Sequence, residues 1–118
     1  MKSRITHLEF PVFSGYLVHI EITSDVQKSL AKYPETKCAV DGEDDANTHA
    51  ITVHIVNEPL TFMFLPYNVS VGTIAHESWH AVKRMMEYVD VKLDSETVAY
   101  HLGYSVDKIF RFVRGKKR

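Results

Sequence analysis

The sequence predicts an α+β fold, in which a small, mostly antiparallel sheet of about four strands packs on one helix. Three observations support this class. The first half of the chain alternates apolar and polar residues with the period of a strand. Residues 70–88 carry an apolar stripe with the period of a helix. The chain has 118 residues, 45% of them apolar, which predicts one domain spanning residues 1–118.

The predicted strands all lie before residue 68 and are separated by turn-forming residues. Ser14 and Gly15 are typical of a tight turn, so the first two strands are expected to form a hairpin. The acidic segment 41–47 begins with Asp-Gly and predicts an exposed connection between strands. The strands are residues 4–13, 16–23, 37–40, 49–56 and 60–67, of which the last could also be a packed loop.

Each predicted helix is marked by capping residues or by apolar residues at helical spacing. Ser24 and Asp25 precede the first helix, and Asp94 or Ser95 can cap the third. The predicted helices are residues 26–32, 70–88, 95–104 and 106–113.

Composition excludes several classes of function. The formal net charge of -1 gives no electrostatic reason to expect nucleic acid or a membrane surface as a partner. The basic residues 114–118 are expected to be a solvated, frayed end. No apolar run approaches the roughly 20 residues that cross a bilayer. The lone Cys38 excludes an internal disulfide and suits a reducing cytosol, so a cytoplasmic protein is expected.

A motif of the form H-E-x-x-H occupies residues 76–80, within the predicted helix 70–88. Positions four apart share one helix face, so His76 and His80 can bind the same metal ion. Glu77 points partly aside and can act as the general base on a water molecule. The motif therefore predicts a zinc site. The alternative is a structural histidine pair without metal.

A catalytic zinc usually takes three protein ligands, so the motif requires a third one. Glu87 is too far along the same helix, and Asp90 and Asp94 better fit the connection and its cap. Glu96 opens the next helix, and a neighbouring helix that crosses the first can bring its carboxylate to the histidines. Tyr100 is four residues further on and shares the face of Glu96. It could donate a hydrogen bond to an oxyanion, or it could be a buried structural aromatic.

Four further histidines lie in the predicted strands and lack ligand spacing. For the first two, a surface position on the strand is favoured over the alternative of a metal role. The last two are expected to face solvent, with the alternative that one of them lies near the metal. The four are, in chain order, His7, His19, His49 and His54.

The motif at residues 76–80, followed by E-T-V-A-Y at residues 96–100, resembles the gluzincin metallopeptidases. The small size and strand-rich first half look most like compact zincin-like proteins encoded by bacteriophages. The resemblance implies Zn²⁺ bound by His76, His80 and Glu96, with Glu77 and Tyr100 as the catalytic residues. It also implies an edge strand that pairs with an extended substrate, and residues 49–56 resemble that strand. The connection between His80 and Glu96 is shorter than is usual in the family.

These observations lead to two hypotheses of different classes. The first is a zinc metallopeptidase, a hydrolase that cleaves a peptide or protein substrate through a zinc-activated water. The second is a catalytically silent zincin-like module that binds a partner protein and keeps the zinc for structure. The retained Glu77 favours catalysis, since a structural zinc has no use for a base. The small size favours the module, since little surface is left to shape a substrate cleft.

Overall fold

The computed structural model describes residues 3–11, 13, 15–45 and 50–115. The described residues form a mixed five-stranded sheet and three α-helices, which confirms the α+β class. The elements are β1 (Arg4–Glu9), β2 (Leu17–Thr23), α1 (Val26–Ala31), a 3₁₀ turn (Pro34–Cys38), β3 (Ala39–Asp45), β4 (Ala50–Ile55), β5 (Leu60–Pro66), α2 (Val71–Tyr88) and α3 (Ser95–Val113).

The sheet has the strand order β1-β2-β5-β4-β3. The pairs β1–β2, β3–β4 and β4–β5 are antiparallel, and β2–β5 is parallel. The predicted hairpin of the first two strands is confirmed. The prediction that residues 49–56 form an edge strand is wrong, because β4 pairs on both sides. The edges of the described sheet are β1 and β3.

Two further predictions are corrected by the pairing of distant segments. Residues 41–45, expected in an exposed turn, continue β3, because their backbone pairs with β4 across a register shift between Val40 and Glu43. Residues 46–49 lie outside the described part of the chain. The two helices expected after residue 94 are one helix, α3. Its buried residues His101, Ser105 and Ile109 recur every four positions, so a single face packs inward along its length.

The sheet is covered on both faces, and each face has its own hydrophobic cluster. Val18, Ile20, Met63 and Leu65 pack with α2 and α3, while Phe62 and Phe64 pack with α1. All residues of β2 after Leu17 are buried. Alternation of apolar and polar residues usually marks a strand with one face in solvent, but both faces of β2 are buried, because α1 covers the second one.

The helices α2 and α3 form an antiparallel pair. The hydroxyl of Ser70 accepts from the backbone N–H of Thr73 (3.1 Å) and caps α2. Asp94 accepts from the backbone N–H of Thr97 (2.9 Å) and caps α3, and this hydrogen bond lowers the pKa of Asp94. The Ser105 hydroxyl donates to Ser78 at 3.0 Å, which fixes how the two helices align. No helix in the described ranges is long and apolar enough to cross a membrane.

Candidate metal site

His76 and His80 direct their rings to one point on the flank of α2. Their Nε2 atoms are 3.3 Å apart, and their ring centroids are 4.8 Å apart. Two nitrogens bound to one tetrahedral zinc at 2.0–2.1 Å would lie about 3.3 Å apart. His76 is exposed and His80 is half-buried, so the point between them is reachable from solvent. The donor types and their separation fit zinc, and they also fit an N–H···N hydrogen bond between the rings.

The Glu77 side chain is buried between α2 and β4. Its side chain is only 1% exposed, and one carboxylate oxygen accepts a hydrogen bond from the hydroxyl of Thr52 in β4. Because strand and helix are both anchored in the core, this bond fixes the orientation of the carboxylate. Sequence reasoning missed Thr52. Residues two apart in a strand point to the same face, so the alternation in β4 already placed Thr52 on one face with Ala50.

No described contact joins Glu96 to the histidine pair. Ser78 faces α3, whereas His76 and His80 are each two residues from Ser78 and so lie about 160° around the helix from it. Glu96 precedes Ser105 by nine residues, or ~14 Å along α3. Within the described ranges, no three His, Cys, Asp or Glu side chains form a group that could hold a metal. The assignment of Glu96 as third ligand stays a prediction.

Tyr100 also lies on α3, on the exposed side of that helix. Its side chain is 55% exposed, so the alternative of a buried structural aromatic is wrong. Its ring contacts the ring of His101 at 5.1 Å. His101 itself is buried against Phe10 and Phe13, and its Nδ1–H donates to the carbonyl of Thr97 at 2.9 Å. The catalytic role of Tyr100 therefore also stays a prediction.

The strand histidines differ from one another in exposure. His7 faces solvent as predicted, and His49 lies outside the described residues. The prediction that His19 and His54 face solvent is wrong, because helices cover both faces of the sheet. His54 Nδ1 lies 3.0 Å from the hydroxyl of Thr61, which the hydroxyl of Tyr16 contacts at 2.7 Å.

A second polar cluster, which sequence reasoning missed, surrounds Glu21 on the α1 side of the sheet. Its side chain is fully buried and accepts from Lys32 Nζ at 3.0 Å and from the hydroxyl of Tyr33 at 2.8 Å. Burial raises the pKa of Glu21, but these hydrogen bonds outweigh burial, so its pKa lies below the usual value. Burial, together with the hydrogen bond to Glu21, raises the pKa of Tyr33 to about 12.

Next to Glu21, His19 connects the cluster to the exposed His7. Its Nδ1 is 3.1 Å from His7 Nε2, and its Nε2 is 3.6 Å from Glu21 Oε1. Burial lowers the pKa of His19 despite the nearby carboxylate. His19 is therefore a neutral imidazole at pH 7.

No protein-family model matches the chain, and no curated protein and no solved structure is significantly similar to it.

Proposed function

We propose that this protein is a zinc-dependent metallopeptidase of the gluzincin type, with His76 and His80 as zinc ligands and Glu77 as general base. The observation that carries the proposal is the 3.3 Å separation of the two Nε2 atoms, next to a carboxylate anchored on the adjacent strand. A structural histidine pair would account for the first feature but would not require a base at position 77.

Bound zinc would supply Lewis acidity, which polarises a peptide carbonyl and makes water a stronger acid. The remaining chemistry belongs to Glu77. Its carboxylate would accept a proton from the attacking water and pass it to the leaving amine. The Thr52 hydroxyl donates to one carboxylate oxygen and holds the group in a single orientation. Fixing a base in this way favours proton transfer, because no search for the reactive geometry is needed.

On the basis of the resemblance to gluzincins, we propose Glu96 as the third zinc ligand and Tyr100 as a hydrogen-bond donor to the oxyanion. Metal analysis of Glu96→Ala tests the first assignment, since a missing ligand removes both a bond and a compensating charge. About one equivalent of zinc in wild type and little in Glu96→Ala supports it. If Glu96→Ala keeps its full zinc content while His76→Ala loses it, the site is correct but the third ligand is a residue other than Glu96.

Glu77→Gln tests catalysis, because it keeps the size of the side chain but removes its ability to accept a proton at neutral pH. The variant should keep its zinc and lose cleavage of an unfolded protein substrate by about 10²-fold or more. New peptide ends are counted by mass spectrometry in wild type, Glu77→Gln and chelator-treated samples.

Glu87→Gln, an exposed position on the same helix, is the matched control and should cleave like wild type. Cleavage that survives in Glu77→Gln would contradict the assigned base. Wild type that binds zinc and a partner protein without turnover would favour the zincin-like binding module.

A further inference from the structure

We propose that His7 and His19 form a second site for a divalent transition-metal ion, on the face of the sheet opposite α2. The two residues are register partners across the β1–β2 pair. Their nearest ring nitrogens, His7 Nε2 and His19 Nδ1, are 3.1 Å apart. That separation is close to the roughly 3.3 Å expected for two nitrogens on one tetrahedral ion.

The surroundings of His19 orient it as a ligand. Its Nε2 lies 3.6 Å from the buried Glu21 carboxylate, an electrostatic contact longer than a hydrogen bond, and its Nδ1 faces His7. Metal-binding histidines generally direct their other ring nitrogen at a carboxylate or carbonyl in this way. Glu21 is itself held by Lys32 and Tyr33. Held in this way, the Glu21 carboxylate gives the Nε2 side of His19 a fixed negative neighbour.

Packing holds the His19 ring in place while leaving the site open. The ring lies against Tyr33 at 5.0 Å and Phe62 at 4.9 Å between centroids, which restricts its rotation. His7 is exposed on the outer face of an edge strand, where an ion can enter from solvent.

The donor set selects the class of ion. Two imidazole nitrogens suit Cu²⁺, Ni²⁺ and Zn²⁺, whereas Mg²⁺ and Ca²⁺ prefer oxygen ligands. With two protein ligands, water would complete the coordination, and affinity should follow the order Cu²⁺ above Ni²⁺ and Zn²⁺. The competing explanation of the 3.1 Å separation is a plain hydrogen bond between the rings.

The experiment uses the full chain carrying His76→Ala and His80→Ala, so that the α2 pair cannot bind the probe. Calorimetric titration with Ni²⁺ and with Zn²⁺ at pH 7.5 should find about one equivalent. Adding His7→Ala should weaken binding by about 10-fold or more. Adding Glu9→Gln instead, at an exposed position two residues along β1, should leave binding unchanged.

Nuclear magnetic resonance with substoichiometric Cu²⁺ identifies the site, because the paramagnetic ion broadens nearby ring signals. Broadening of His7 and His19 before the other histidines supports the proposal. Equal titrations with and without His7→Ala would overturn it, as would no binding at millimolar Ni²⁺. His7 is exposed, so His7→Ala should fold, and thermal melting checks this. Because the α2 pair is absent throughout, the outcome is independent of the proposed peptidase.

Discussion

The two histidine pairs bring ring nitrogens to similar separations, 3.3 Å and 3.1 Å, but are assembled in different ways. His76 and His80 are one helical turn apart in α2, whereas His7 and His19 meet across two strands. The helical pair forms wherever α2 forms. The strand pair requires the correct β1–β2 register, since a slip of one residue turns a side chain to the other face. Similar separations of two ring nitrogens can thus depend either on neighbours within one helical turn or on the pairing of two separate strands.

The buried carboxylates near the two pairs, Glu77 and Glu21, are held by different kinds of hydrogen-bond donor. Glu77 accepts from a neutral donor, the Thr52 hydroxyl, whereas Glu21 accepts from the cationic Lys32 and from Tyr33. A carboxylate with a cationic partner is held in its ionised form and contributes to stability. The Glu21 cluster is therefore expected to contribute most to the fold, and Glu77 to chemistry.

Glu21→Ala should have the largest effect on stability. It removes a fully buried carboxylate and leaves the hydroxyl of Tyr33 without its acceptor. Lys32 is half-exposed and can return to water, so the free energy of unfolding should fall by about 2–3 kcal/mol. Urea denaturation measures the change. Glu9→Ala, at an exposed position on β1, should stay within about 0.5 kcal/mol of wild type. If Glu21→Ala and Glu9→Ala lower the free energy of unfolding equally, the buried cluster around Glu21 makes no special contribution to the fold.

Thr52→Val should have a smaller effect on stability and a measurable effect on chemistry. The substitution keeps the shape of the side chain but removes the donor to the buried Glu77. The free energy of unfolding should fall by about 1–2 kcal/mol. Thr52→Ser keeps the hydroxyl, so it should retain peptide cleavage that Thr52→Val loses. If both variants cleave alike, the hydroxyl does not position Glu77.

The smallest effect should be the pH dependence that His19 contributes. Its folded pKa lies below the usual 6.5, so its contribution to stability is present above pH 6.5 and is lost as the pH falls through the folded pKa. The pKa of Glu21 is also lowered, from 4.5, which adds a separate loss at lower pH. Melting temperatures of wild type should therefore decline more steeply from pH 7 to 5 than those of His19→Phe. Parallel curves would show that His19 does not titrate on unfolding.

The sequence alone determined the features that depend on neighbours within one turn or one strand. The period of the apolar residues indicated the α+β class and a helix over residues 70–88, and Asp94 or Ser95 was expected to cap the helix that follows, where Asp94 does so. The spacing of His76 and His80 gave their shared face, because helix geometry relates residues four apart wherever the helix lies.

Tertiary structure decided what depends on residues distant in the sequence. The position of β4 inside the sheet follows from its pairing with β3, and the burial of His19 follows from the packing of α1. The antiparallel alignment of α2 and α3 decided where Glu96 lies. The approach of His7 to His19 exists only through the β1–β2 register. Local periodicity carries no information about such partners, because burial on a second face or a pairing across the sheet is set by segments that the local pattern does not include.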